Sequence, residues 1–267
     1  MHWRPPDLIP LDVISKFDAI INLAGEPIAP KRWTAERKKR ILSSRIDATR
    51  ALVESLKQIP PGPSLSKGGT PGLKIFISAS AIGIYGLHGD EAVTEDSSPA
   101  SDYLADVCRK WEAEAFRAQQ LGLRVVTIRI GGVLEADGGA LAQMVMPFKF
   151  FLGGPIGSGR QWFSWIHRDD VVGIIKYALE NDSVSGPVNA TAPAPVTNRQ
   201  FSTALGKALS RPSFFAVPGF VVRLSLGELG NVLLSGRRVL PEKALKAGYI
   251  FKYPEVNGAL GAIFGKG

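Results

Sequence analysis

The sequence predicts an α/β protein built on a doubly wound parallel sheet, and two kinds of segment support this prediction. Three short apolar, β-branched runs, at 19–25, 74–78 and 123–130, have the length and composition of strands buried on both faces. Segments with apolar residues three and four positions apart lie between them and are typical of helices. Alternating strands and helices give right-handed parallel crossovers.

The composition favours a globular protein with a sizeable core. The chain has 267 residues, of which 45% are hydrophobic and 21% charged, enough for one large domain or a domain with an appendage. Without a long apolar run or a signal peptide, we expect a cytoplasmic protein with no membrane partner. The single cysteine excludes an internal disulfide framework and a cysteine-cluster zinc site, and we expect no metal.

The net charge of +8 raises the question of an anionic partner. Part of this charge lies in the stretch KRWTAERKKR at 31–40, which could bind nucleic acid or an anionic membrane. A solvated helix face is the better explanation, because no nucleic-acid-binding motif accompanies the stretch. We expect a small-molecule substrate as the partner, and the oligomeric state stays open.

The rest of the chain is organised around the stretch KIFISASAIGIYG at 74–86. A strand predicted over 74–78 delivers Ser78 and Ser80 to its carboxyl end, and the run of small residues ends near Tyr85. Ligands of open α/β sheets bind outside the carboxyl ends of the strands. The alternative is that this stretch is a strand followed by an ordinary polar turn.

The strand predicted at 19–25 reaches the same end of the sheet. It contributes Asn22, Ala24 and Gly25, and small residues at this place let a flat ligand approach the backbone closely.

Local signals define several helix starts. Thr34 is a predicted N-cap, and Thr197 with Gln200 forms a predicted capping box. Asp169 is the predicted cap of a helix at 170–181.

Composition also divides the chain. The Pro-, Gly- and Ser-rich stretch at 60–73 predicts a flexible connection. We expect an α/β domain over 1–200 and a small helical domain over 215–264. Within the latter, the apolar stretch 220–234 could contact a partner or a membrane, although its interrupting glycines favour ordinary packing.

The stretch GGPIGSGRQWFSWIH at 153–167 combines glycines, aromatic rings and a few polar groups. It could form a pocket wall with Gln161, Trp165 and His167, or a structural loop whose rings fill a core edge. His167 could act as a general acid, although a histidine at a strand end is more often structural.

Five motifs in order resemble one family: INLAG, ISASAIGIYG, RIGGVL, GGPIGSGRQWFSWIHRDD and RVLPEKALKAGY. The chain is similar to the atypical extended short-chain dehydrogenase/reductases of the NAD-dependent epimerase/dehydratase superfamily. The similarity is to the epimerase subgroup with a C-terminal DUF1731 domain, some members of which are named cell division inhibitor SulA. The resemblance implies a Rossmann-like fold and an NADP(H) or NAD(H) cofactor, with NADP(H) favoured.

The family opens with a strand, a GxxGxxG turn and a helix that hold the cofactor pyrophosphate. The sequence has no such opening unit, since HWRPPDLIP resembles the segment after the family's second unit. We therefore expect a Rossmann-like sheet without its first strand–helix units, and an in-frame GxxGxxG upstream in the gene.

The family's catalytic Tyr and Lys, in a YxxxK helix, have no counterpart in DYLADVCRKWE. One alignment puts Leu104 and Cys108 at these two positions, and the other puts Tyr103 and Val107 there. Ser80 matches the family serine better than Ser78 does.

The resemblance implies three groups of site residues. The catalytic candidates are Ser80, Cys108 and Tyr85. The cofactor-binding candidates are Asn22, Leu23, Ala24, Gly25, Glu26, Ser78, Arg129 and Gly131. The substrate-binding candidates are Gln161, Trp165 and His167.

Two functions follow from these features. One is an NAD(P)-dependent oxidoreductase or epimerase acting on a small hydroxyl or keto substrate. The other is a non-catalytic dinucleotide- or partner-binding protein, which the missing Tyr and Lys would favour.

Overall fold

The computed structural model describes residues 3–29, 32–59, 73–86 and 89–265, so most of the predicted connection at 60–73 lies outside the described residues. In chain order the first elements are α1 (Leu11–Ile14), β1 (Ala19–Asn22), α2 (Ala35–Leu56), β2 (Ile75–Ala81), β3 (Ala92–Val93), α3 (Tyr103–Phe116), β4 (Arg124–Ile130), β5 (Gly132–Leu134) and α4 (Gly139–Lys149). They are followed by β6 (Trp162–Phe163), β7 (Trp165–His167), α5 (Arg168–Glu180), β8 (Gly186–Ala190), β9 (Val196–Thr197), α6 (Asn198–Leu209), α7 (Gly219–Leu226), α8 (Glu228–Leu234), β10 (Arg238–Val239), α9 (Glu242–Lys246) and α10 (Val256–Phe264).

A four-stranded sheet in the order β1-β2-β4-β8 forms the centre of the molecule. All three strand pairs are parallel, and β2 pairs with β4 along its whole length, from Ile75 opposite Arg124 to Ala81 opposite Ile130. β2 thus extends three residues beyond the predicted strand at 74–78. The predicted parallel α/β fold is confirmed.

Helices cover both faces of this sheet because successive side chains of a strand point to opposite faces. Phe76 packs on one face with Leu52 of α2 and Ala115 of α3. Ile77 packs on the other face with Ile174 of α5. This doubly wound arrangement leaves the carboxyl ends of the strands as the edge at which a ligand can reach the backbone.

The predicted caps of α2 and α6 are confirmed. The Thr34 hydroxyl accepts a hydrogen bond from the Arg37 amide at 3.2 Å. Thr197 and Gln200 form the reciprocal capping box, with the Gln200 side chain 2.7 Å from the Thr197 amide. These bonds satisfy amides that the first turn of a helix leaves unpaired.

The predicted cap of α5 is wrong. The helix begins at Arg168, and its N-cap is His167, whose Nδ1 accepts a hydrogen bond from the Asp169 amide at 3.1 Å. Asp169 is a first-turn residue that pairs with Lys252. Because the helix begins two residues earlier than predicted, Asp169 lies in its first turn, and the otherwise unpaired Asp169 amide is satisfied by the His167 imidazole.

The C-terminal part of the chain is helical, as predicted, and folds back over the α/β core. β10 pairs with β3 in a small parallel sheet, and α10 packs its Ala259 and Leu260 against Phe201 of α6. The apolar stretch 220–234 is only partly packed, since Phe220 is 69% exposed. Among the helices that the structure describes, none is long and apolar enough to cross a membrane.

Asp170 fastens the C-terminal part to the core. This fully buried carboxylate accepts hydrogen bonds from the amides of Lys252 and Tyr253, at 2.7 and 2.9 Å, and from the Tyr249 hydroxyl at 3.0 Å. Burial and the Asp170 carboxylate together raise the pKa of Tyr249, which keeps its proton on the donor side of the bond.

Replacing Asp170 should therefore destabilise the protein. In Asp170→Ala two backbone amides lose their acceptor in a buried site, and an unsatisfied buried group costs about 1–3 kcal/mol. We expect the free energy of unfolding, measured by urea denaturation, to fall by about 3 kcal/mol. Asp182→Ala is the control, because the Asp182 side chain is 99% exposed. Equal stability of the two variants would contradict the fastening role.

Candidate functional site

A cavity of about 400 Å³ opens at the carboxyl ends of β2 and β4. Ala81, Ile130 and Gly131 lie at these strand ends and form its floor. Helices α2 and α3 form one wall, and the segments 161–164 and 232–237 supply most of the rest. The lining is mainly apolar, as is usual for small-molecule sites, and its polar groups are few.

A chain of buried side chains links the ends of the same strands. The Ser80 hydroxyl donates to Glu112 Oε1 at 2.6 Å, and Arg129 donates to both oxygens of that carboxylate at 2.9 Å. Arg129 Nη1 also donates to the Tyr85 hydroxyl at 2.9 Å, which in turn donates to Asn189 Oδ1 at 2.7 Å. We call these five residues the strand-end network.

The predicted catalytic residues Ser80 and Tyr85 both belong to the strand-end network. Both side chains are buried, neither lines the cavity, and both hydroxyl protons are donated within the network. Burial raises the pKa of Tyr85 to about 12, although the guanidinium of Arg129 opposes this shift. A phenol with such a pKa is a poor proton donor near neutral pH.

Arg129 likewise belongs to the strand-end network and does not line the cavity. Burial opposes its charge, but hydrogen bonds and charge attraction from Glu112 outweigh burial and raise the pKa of Arg129. Its predicted place in the cofactor site is not supported by the geometry, since the guanidinium is occupied by Glu112 and Tyr85.

Cys108 reaches the cavity, but in an unreactive state. It lines the cavity together with Leu104, so the two positions that one of the alignments matches to the family's Tyr and Lys face the same space. Burial raises the pKa of the Cys108 thiol to about 11, and the nearby Glu112 carboxylate adds to the shift. Because the thiolate is the nucleophile, Cys108 acts at neutral pH as a small apolar side chain.

Two of the three predicted substrate residues belong to the core instead. Trp165 is fully buried in the apolar cluster of α4, α6 and α10, and its indole donates to the Ala194 carbonyl at 3.1 Å. His167 caps α5, and its ring lies 4.0 Å from the ring of Tyr253. Burial lowers the pKa of His167, so the ring is neutral as the cap requires.

Gln161 does line the cavity. Its amide nitrogen donates to the carbonyls of Ile156 and Leu233 at 2.9 and 3.4 Å, which fixes the orientation of the amide. The buried Oε1 has no hydrogen-bond partner among the described residues.

The segment after β1 lies beside the cavity and is held by local bonds. The Asn22 side chain bonds to Thr49 and accepts from the Ala24 amide, while Leu23 is 56% exposed. Glu26 pairs with Arg37 at 3.3 Å. Ser78 is fully buried inside β2 and does not line the cavity.

Gly25 and Gly131 are sites of close approach. A Cβ on Gly25 would lie 3.1 Å from Cζ of Arg45, and one on Gly131 would lie 2.6 Å from the Ser164 carbonyl oxygen. These glycines therefore allow the strand ends and the cavity walls to meet.

Sequence analysis missed several lining residues, including two cations. Arg45 lies on α2 among other basic residues, and Arg237 lies in the segment before β10. The signal for Arg45 was its place within an apolar helix face. No sequence signal distinguished Arg237, which reaches the site only because the C-terminal part folds back.

A parallel sheet covered by helices, with a cavity at its carboxyl strand ends, defines a Rossmann-type protein. The sequence model of the NAD dependent epimerase/dehydratase family matches residues 11–190, and that of the domain of unknown function DUF1731 matches residues 217–263. The chain belongs to the NAD-dependent epimerase/dehydratase family. The resemblance seen in its motifs is thereby confirmed, and the exact domain limits stay a prediction.

The relatives cover nearly the whole chain. An epimerase family protein SDR39U1 homolog, chloroplastic, of Arabidopsis thaliana is 46% identical over 92% of this chain and 68% of its own length. YfhF of Bacillus subtilis, an epimerase family protein, is 39% identical over 97% of this chain and 82% of its own length. The crystal structure of human epimerase family protein SDR39U1 with NADPH superposes with a TM-score of 0.85, at 35% identity, over 93% of this chain and 82% of that one.

The described residues fit one end of a dinucleotide. Ala81 and Gly131 leave the strand ends open to a flat ring, and the walls are apolar. The spacing GxxGxxG occurs in the sequence at Gly83, Gly86 and Gly89, but α3 begins only at Tyr103. Within the described ranges, no GxxGxxG turn leads directly from a strand into a helix N-terminus to receive a pyrophosphate.

The strand-end network should be tested through Glu112. In Glu112→Gln the buried Arg129 loses its charge partner, and breaking a buried ion pair from one side costs about 3–5 kcal/mol. We expect a loss of this size in the free energy of unfolding, measured by chemical denaturation. Glu36→Gln is the control, because the Glu36 side chain is 82% exposed. A Glu112→Gln variant as stable as the control would show that the pair is dispensable.

The state of Cys108 can be read from its reactivity. With a thiol pKa of about 11, the thiolate fraction should grow about tenfold for each pH unit between 7 and 10. We expect alkylation of the native protein by iodoacetamide at pH 7 to be at least about a hundredfold slower than that of the urea-unfolded chain. Equal rates in the two states would contradict the raised pKa, because they would mean that Cys108 is accessible and has the pKa of an ordinary thiol.

Proposed function

We propose that this protein is an NADP(H)-dependent oxidoreductase of the epimerase type, acting on a small hydroxyl or keto substrate. The observation that carries the proposal is the cavity of about 400 Å³ at the carboxyl ends of β2 and β4. The human relative solved with NADPH supports the choice of NADP(H) over NAD(H).

In this proposal the chain's own residues bind and orient the cofactor and the substrate. Ala81, Ile130 and Gly131 would hold the nicotinamide end of the cofactor at the strand ends, where it would supply hydride chemistry. The apolar walls, including Trp111 and Phe163, exclude water from the reacting groups. The strand-end network holds β2, α3 and β4 in register beneath this site.

A specific observation favours a second candidate, a non-catalytic dinucleotide- or partner-binding protein. Neither alignment of α3 with the family's YxxxK motif supplies both Tyr and Lys, Tyr85 is buried, and the Ser80 hydroxyl is bonded to Glu112. None of these groups exchanges a proton readily near neutral pH.

We further propose a reducing compartment, the cytoplasm, for this protein. The lone cysteine supports this proposal, because a chain with one cysteine forms no internal disulfide. A small-molecule substrate is proposed as the partner, with no nucleic acid and no membrane.

The first test is cofactor binding by calorimetry, with NADPH and NADH compared. We expect NADPH to bind at least about tenfold more tightly than NADH, a difference of about 1.4 kcal/mol. Ala81→Phe narrows the cavity and should weaken NADPH binding by a similar factor. Ala92→Phe is the matched control, because Ala92 is exposed on β3, away from the cavity.

The two candidate functions separate in the next measurement, which follows NADPH oxidation at 340 nm with a panel of small ketones and oxo acids. Oxidation with any of them supports the oxidoreductase. Binding without oxidation supports the non-catalytic dinucleotide-binding protein. Binding of neither nucleotide contradicts the oxidoreductase and favours the partner-binding protein.

A further inference from the structure

Two cations line the cavity, the half-buried Arg45 and the buried Arg237, and no acidic side chain among the described residues pairs with either. Arg45 and Arg237 both line it, and Arg237 is only 7% exposed. Among the described residues, no carboxylate oxygen lies within 4.0 Å of either guanidinium, whereas most other buried or half-buried arginines have one. Arg129 and Arg37, for example, pair with Glu112 and Glu26.

The bonds that these two cations make are to backbone carbonyls. Arg45 Nη1 donates to the carbonyls of Glu26 and Ile41, at 3.0 and 2.9 Å, and its guanidinium lies over the ring of Trp111. Arg237 Nη1 donates to the Ile82 carbonyl at 2.7 Å. Carbonyl dipoles fix the position of a guanidinium, but they leave its charge uncompensated.

Without a bound anion, the burial of these two guanidinium groups is therefore unfavourable. Burial lowers the pKa of Arg45 and of Arg237, and the distant carboxylates of Glu26 and Asp102 offset this only in part. A buried charge without a counter-charge costs several kcal/mol, which a bound anion would recover in part. The remaining N–H groups of each guanidinium can serve the two oxygens of a carboxylate.

We propose that the substrate carries a carboxylate, held by Arg45 and Arg237, on a compact apolar body. The apolar body fits the remaining lining, which includes Met144, Phe163 and Trp111. A carboxylate suits the site better than a phosphate, because each guanidinium has already committed one nitrogen to backbone carbonyls. This inference rests on the proposed function, since it names the substrate class of the same cavity.

The experiment compares benzoate with benzamide, which has the same shape but no charge, by calorimetry on the full chain. We expect benzoate to bind at least about tenfold more tightly than benzamide. In Arg45→Met and in Arg237→Met, benzoate binding should weaken by about the same factor, while benzamide binding changes little. Arg109→Met is the matched control, because Arg109 lies on the outer surface of α3 with a side chain 47% exposed.

Folding of the variants is checked by thermal unfolding, and Arg45→Lys and Arg237→Lys serve as a second pair. The lysine variants keep the charge, so they should retain part of the preference for benzoate. Equal affinity for benzoate and benzamide, or no benzoate binding at millimolar concentration, overturns the inference. An unchanged preference in both methionine variants overturns it as well.

The test also separates this inference from the proposed function. If benzoate is preferred in a way that depends on both arginines, but NADPH is neither bound nor oxidised, the anion site is supported and the oxidoreductase function is contradicted. If NADPH is oxidised as fast with neutral ketones as with oxo acids, the oxidoreductase function is supported and the proposal of a substrate carboxylate is contradicted. If saturating NADPH displaces benzoate, the arginines serve the cofactor's phosphates, and the inference is again overturned.

Discussion

The pairing of Arg129 with Glu112 is the interaction on which the rest of the site depends. It joins β4 to α3 through two hydrogen bonds of 2.9 Å, with both side chains buried. Glu112 then accepts from Ser80 on β2, and Arg129 donates to Tyr85, so one ion pair sets the spacing of three elements. Since a buried charge tolerates no loss of its partner, these elements cannot move independently. The cavity floor formed by the ends of β2 and β4 is therefore tied to α3 through buried side chains.

Much of the fold could be predicted because local sequence and tertiary structure agree. The apolar run of β2 is buried on both faces, and the capping box at Thr197 and Gln200 works through neighbours in sequence. The strand limits and the start of α5 were less predictable. Pairing with β4 extends β2 to Ala81, and His167 caps α5 in place of Asp169 because its ring is held against Tyr253, a residue distant in sequence.

The site was harder to predict than the fold. The end of β2 and part of the stretch 153–167 surround the cavity, and Cys108, Gly131 and Gln161 line it. Ser80 and Tyr85 have the residue types of catalysis, but their partners Glu112 and Asn189 lie 32 and 104 positions away and bind their hydroxyls in the network. A motif shows which groups are present, whereas long-range partners decide which of them remain free.

The C-terminal part folds back over the α/β core, and this has a consequence for synthesis on the ribosome. The sheet is complete once β8 has formed, and the segments up to Ala190 can collapse on it as they emerge. The wall that contains Arg237 is synthesised later, and so are Ala244 and Phe251, which complete the core on the α5 face of the sheet. When β8 has been synthesised, the cavity therefore still lacks this wall. Ligand recognition is the last property that this chain acquires.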